Sequence, residues 1–201
     1  MDFSKLYLLD DAFLRGALRV SPGLGIDDMA IARAESLPSQ PLVCRHHMGG
    51  KPRDLVATAY GTVDLLSDRV IQIFRDGGYT GWTTFPVEVY GKHGERIEGY
   101  HGFAVTGRCG PIVWSKGKKV RKPPPVPWGQ SYDAWVGMYF DPDSWDGSDI
   151  FLPEACASTI VVEKVMLALT KAKVTNIKFE SLTEFERSWA VPKSQPLQGD
   201  A

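Results

Sequence analysis

The stretch from Ser67 to Gly110, SDRVIQIFRDGGYTGWTTFPVEVYGKHGERIEGYHGFAVTGRCG, constrains the fold more than any other part of the chain. Leu66, Val70, Ile73 and Phe74 fall at i, i+4, i+7 and i+8, while Asp68, Arg69, Gln72 and Arg75 point the other way, which predicts an amphipathic helix. Ser67 is placed to cap it and Gly77-Gly78 to stop it. Beyond the glycines, Phe85, Val87 and Val89 alternate with other residues, Gly91 to Gly94 supplies a turn, and His101, Phe103 and Val105 alternate on the return. The expectation is a hairpin with one buried face.

Part of this unit returns later. Glu163-Lys164-Val165 stands where Asp68-Arg69-Val70 stood, Leu169 matches Phe74, Ala172 matches Gly77 and Thr175 matches Thr80, all at a spacing of about 95 residues. Val165, Ala168, Leu169 and Ala172 form the apolar stripe of a second helix, and Val174 to Phe179 a strand after it. The predicted class is α+β, with antiparallel sheet or hairpin elements, a few packed helices and two related helix-strand halves.

The remaining segments are punctuated differently. Phe3 to Leu9 reads as an opening strand broken by Asp10-Asp11, and SPGLG, LPSQP and HHMGG surround a short helix at Asp27 to Ser36. Asp54 to Tyr60 reads as a strand that feeds the central helix after a turn at Gly61. The expected organisation is an irregular N-terminal lobe over residues 1–60, an α+β domain over 61–185 and a flexible tail over 186–201.

Composition bounds the function classes. With 43% hydrophobic and 23% charged residues over 201 positions, the chain can bury a sizeable core. A net charge of -1 gives no global attraction to nucleic acid or anionic membrane, so neither is an expected partner. Cys44, Cys109 and Cys156 are too few and too scattered for a disulfide framework. The first twenty residues carry Asp2, Asp10 and Asp11 without an apolar core. A cytoplasmic location follows as an expectation.

Three constellations bear on chemistry. Cys44, His46 and His47 lack the spacing of a metal site, so no metal or other cofactor is expected. Cys109 with His101 offers a nucleophile and a base, the basis of an alternative reading as a small hydrolase-like enzyme. The third is a pair of oppositely charged patches. Arg108 to Lys122 is basic, with Lys116, Lys118, Lys119, Arg121 and Lys122, and reads as a solvated loop leading into an extended PPPVP connector. After it, Trp128, Tyr132 and the loop Asp141, Asp143, Trp145, Asp146 and Asp149 interleave aromatic rings and carboxylates. That loop lacks the glycine and terminal glutamate of a calcium-binding loop. Two readings stay open for it: turn and cap residues with Trp145 over the core edge, or a patch that binds a basic partner protein.

The segments Gly99-Tyr100-His101-Gly102 and Trp145-Asp146-Gly147-Ser148-Asp149-Ile150-Phe151, with the closing helix-strand carrying Val165, Leu169, Thr175 and Phe179, resemble bacterial polymorphic-toxin immunity protein family 11. The resemblance covers roughly Leu65 to Glu180. It implies a small cytoplasmic protein that binds and neutralises a cognate toxin encoded beside it, and it carries no catalytic signature and no binding residues onto this chain.

Overall fold

Two helices of nine residues each, separated by 95 positions, organise the fold of the computed structural model, which describes residues 1–23, 25–59, 62–124 and 126–187. In chain order the elements are β1 (Leu6–Asp11), β2 (Arg19–Ser21), α1 (Asp28–Ala32), β3 (Leu42–Met48), β4 (Leu55–Ala57), β5 (Asp64–Ser67), α2 (Asp68–Asp76), β6 (Trp82–Phe85), β7 (Val87–Tyr90), β8 (Arg96–Ile97), β9 (Tyr100–Val105) and β10 (Gly107–Cys109). Then follow β11 (Lys118–Lys122), β12 (Tyr132–Val136), β13 (Ile150–Pro153), β14 (Ile160–Val162), α3 (Glu163–Lys171), β15 (Ile177–Ser181) and β16 (Glu186–Arg187). The strands form four mostly antiparallel sheets, ordered β10-β13-β14-β1-β15, β4-β5-β9-β6, β2-β3-β7-β8 and β11-β12-β16. The fold is α+β with two related halves.

The relation between the halves is written in the hydrogen-bond register. Leu55 pairs with Leu66 across β4 and β5, and 95 residues later Ile150 pairs with Val161 across β13 and β14. Each hairpin runs into its helix and then into a third strand, β6 or β15. The remaining place in each sheet is filled from the other half. Strand β9 lies between β5 and β6, and β1 lies between β14 and β15 in the same register: Leu66 opposes His101 and Thr84 opposes Phe103, as Val161 opposes Tyr7 and Phe179 opposes Leu9. Each half thus gives its first strand to the other's sheet.

Both helices stop in one geometry. Gly77 and Ala172 end them in right-handed conformation, and Gly78 (φ 61°) and Lys173 (φ 52°) then turn left-handed. Tyr79 N donates to Phe74 O at 3.0 Å, and Val174 N to Leu169 O at 3.1 Å, the closing bond of a Schellman motif in each case. Gly78 adopts this backbone at no steric cost, whereas Lys173 holds it against a Cβ penalty. The helices lie antiparallel: Arg69 Nη2 donates to Ala172 O, and Tyr79 Oη to Lys164 O at 3.2 Å.

A central core joins the halves through equivalent residues, among them Leu55 with Ile150, Leu66 with Val161, Val70 with Val165, and Phe74 with Leu169. Each sheet then has its own outer core, Val56, Leu65 and Ala104 on one side and Phe151, Ile160 and Leu8 on the other.

Several expectations change. The hairpin exists but is divided, with β6 and β9 in one sheet and β7 and β8 in another, because Pro86 interrupts the ladder. Strand β9 is buried on both faces, since Phe103 and Val105 enter the central core and Ala104 an outer one. Leu66 belongs to β5, and the helix buries Val70, Ile71 and Phe74 instead. Asp10-Asp11 does not break the first strand, because Lys178 pairs with Asp10 at 3.1 Å and Arg19 with Asp11. Residues 1–60, expected to be irregular, supply four strands to three sheets; their pairing partners lie far along the chain, where local pattern does not reach. The turn at Gly61 and the tail beyond Arg187 lie outside the described residues.

Candidate functional site

The basic run is an arm rather than a loop. β11 pairs along its whole length with β12, placing Lys122 opposite Tyr132, and Trp128 sits in the connection between them. Asp133 accepts ion pairs from Lys119 and Arg121, both at 2.9 Å, and Glu186 pairs with Lys122 at 2.6 Å. Pairing of β11 with β12 brings Asp133 beside its two bases, and β16, added on the other side of β12, brings Glu186, which the sequence run by itself conceals. Lys116 and Lys118 form no ion pair among the described residues. In the proline-rich connection, Gly129 N closes a turn onto Val126 O at 2.9 Å, so the extended course ends there; Pro125 lies outside the described residues. Trp128 is 85% exposed and Val126 41%.

The acidic loop is largely committed to its own architecture. Asp141 caps the single helical turn Pro142–Ser144 by accepting from Asp143 N at 3.2 Å. Asp146 accepts from Arg108 N at 2.7 Å and from Ser148, which hold its carboxyl below the usual range despite partial burial. Trp145 is half-buried, donates from Nε1 to Ser148 O at 3.1 Å and packs 5.4 Å from the Phe151 ring. Only the Asp143 carboxylate in this loop projects without a hydrogen bond or ion pair among the described residues.

Asp149 has a different task. Its Oδ2 accepts from Thr80 N at 3.1 Å and Oγ1 at 3.4 Å, and its Oδ1 pairs with Lys164 at 2.7 Å. The equivalent Asp54 accepts from Thr175 N at 2.7 Å and Oγ1 at 2.8 Å, and pairs with Arg69 at 3.2 Å. These two clamps cross between the halves in opposite directions, as reciprocal contacts about an approximate two-fold axis do.

Cys109 and His101 sit in different sheets. Burial pushes the Cys109 thiol up to about 12, the opposite of nucleophile activation, while His101 Nε2 contacts Asp68 Oδ1 at 2.6 Å. Cys44 is likewise buried and pushed up to about 12. His46 Nε2 lies 2.8 Å from Gly49 O, and no cluster of three or more metal-ligating side chains occurs among the described residues.

A charged cavity of about 380 Å³ opens between two equivalent loops, the one before β5 and the one before β14, so that Asp64 and its counterpart Thr159 both line it. Asp11 and Arg19 form an ion pair in its wall, and the Arg19 guanidinium lies 4.2 Å from the centre of the Phe13 ring. Asp64 is half-buried and lines the cavity, and neither a hydrogen bond nor an ion pair involves its carboxyl among the described residues. Burial pushes that carboxyl up to about 7; the Asp11 and Asp10 charges add to the shift and Arg19 opposes it. Sequence reading passed over these residues. The available signal was an acid at Asp64 inside the apolar run Val63 to Leu66, and acids at Asp10-Asp11 directly after LYLL.

Compared with known proteins, the chain matches no family model and no curated protein.

Proposed function

We propose that this protein is an immunity protein, a cytoplasmic inhibitor that binds and neutralises a toxin encoded beside it. The resemblance of Gly99 to Gly102, Trp145 to Phe151 and the Val165 to Phe179 helix-strand to immunity protein family 11 supplies the kind of partner. The observation that carries a contact-based role is Trp128, an indole 85% exposed in the connection at the end of a ribbon where Lys122 and Tyr132 stand opposite each other. Exposed aromatic side chains beside cations are the residue types that anchor protein interfaces, because a rigid ring buries much area with little loss of side-chain entropy. Among the described residues no helix is long and apolar enough to cross a membrane.

A cationic arm suits an acidic face on the toxin, and opposite charges raise the association rate needed to intercept a toxin. The test is co-purification of the tagged protein with the product of the neighbouring reading frame, then titration calorimetry of the pair. One-to-one binding is expected, weakened at least about tenfold by Trp128→Ala and slowed in association by added salt. Trp145→Ala with Asp143→Ala tests the acidic loop in the same assay; if that pair removes binding while Trp128→Ala does not, the toxin docks on the acidic loop instead. A neighbour that does not bind at all removes the proposal.

A further inference from the structure

We propose that the cavity between the two equivalent loops binds a small organic cation, a guanidinium or ammonium compound, through the Asp64 carboxylate. This inference is independent of the toxin reading. Four carboxylates line the cavity, Asp10, Asp11, Asp64 and Glu180, against two cations, Arg19 and Lys178. Asp11 is spent on Arg19 and Asp10 on Lys178. Asp64 and Glu180 also line it, both without a partner among the described residues, so the cavity holds an excess of negative charge in a partly desolvated setting. Its volume of about 380 Å³ falls in the range that accepts a small ligand.

The duplication argues that these acids are not required by the fold. At the position of Asp64 the other half carries Thr159, and at the position of Asp11 it carries Val105 in the central core. Even the arginines diverge: Arg19 precedes Val20, which bridges Thr58, as Arg108 precedes Cys109, which pairs with Pro153 95 residues after Thr58, yet Arg19 meets the Asp11 carboxylate while Arg108 reaches the backbone, donating to Val105 O at 2.6 Å. A half-buried carboxylate without a partner is partly desolvated at a cost, and one copy of a repeated scaffold carries it where the other does without. A cation seated against Asp64 removes that cost, and a guanidinium meets a carboxylate in bidentate fashion.

The experiment is an NMR titration of the full chain with methylguanidinium, with uncharged methylurea as the control of similar shape. Saturable one-site shifts are expected at residues 57–59, 62–64 and 157–159 with methylguanidinium and none with methylurea. Affinity should fall at least tenfold in Asp64→Asn and in Asp64→Thr, the latter copying the residue at the equivalent position. It should also fall at least tenfold in the wild type from pH 7.5 to pH 5.5, as Asp64 takes up its proton, with Asp10, Asp11, Glu180, Arg19 and Lys178 the other charges facing it. Equal response to methylurea, unchanged affinity in a folded Asp64 variant, or no saturable binding by the wild type overturns the proposal. Should neither variant fold, the wild-type pH dependence decides.

Discussion

The two halves of this protein keep the same backbone contacts while assigning different sizes and charges to equivalent seats. Gly102 and Leu8 occupy one such seat: Gly102 opposes Phe85 across β6 and β9, and Leu8 opposes Glu180 across β15 and β1. A Cβ on Gly102 would lie 2.1 Å from the Phe85 ring, so the ring fills in one half the space that a leucine fills in the other. By contrast, the Asp54 and Asp149 clamps and the helix stops are retained almost bond for bond. Polar groups that satisfy backbone donors tolerate little change, whereas apolar volume can move between neighbours if the total is kept.

The largest effect should come from breaking that size exchange. Gly102→Ala should destabilise by about 3 kcal/mol in urea denaturation, and adding Phe85→Leu should recover part of it; Leu8→Ala should cost about 2–4 kcal/mol by leaving a cavity. A silent Gly102→Ala would show that the seat is not filled by Phe85. Next come the clamps: Asp54→Ala and Asp149→Ala should each cost about 2–3 kcal/mol, since each leaves a threonine amide and a hydroxyl proton without their carboxylate acceptor. A large cost at Asp54 with none at Asp149 would break the equivalence and return Asp149 to the surface patch read from sequence.

Asp64 sharpens the comparison through pH. Its folded carboxyl, at about 7, lies above the ordinary 3.8, so the folded state holds a proton that the unfolded state releases. Its contribution to stability therefore falls as pH rises from about 4 to 7, and Asp64→Asn should remove that slope, raising stability at pH 8 by at most about 4 kcal/mol, less for solvent screening of a half-buried group, and not at all below pH 4. The smallest effect concerns the helix stops. Gly78→Ala should destabilise by about 1 kcal/mol and Lys173→Gly should stabilise by roughly 0.5–1 kcal/mol, opposite signs at equivalent positions, read from thermal midpoints.

Local pattern made much of this legible. The helix starting at Asp68, its echo at Glu163 and the correspondence of Thr80 with Thr175 all lie in short windows where apolar spacing and turn chemistry act directly. The capping and turn roles in the Asp141 to Ser148 loop were also available as one of its two readings, and the structure places Asp141 and Asp146 in them. The cavity was not legible, because Asp11 and Asp64 come from elements far apart in sequence and only the paired sheets bring them, with Arg19, to one cavity. The arm was misread for a similar reason: Lys119 and Arg121 meet Asp133 only when β11 and β12 pair.

The sequence by itself determined that two amphipathic helices would form, where the first would stop and that one would repeat the other, since helix periodicity and end signals are satisfied within a few turns of chain. Only the tertiary structure decided that β1 and β9 exchange places between the halves. LYLLDD and YHGFAV share no pattern, and their equivalence consists entirely in which strands they hydrogen-bond to, a choice made by long-range pairing and the burial of a common core.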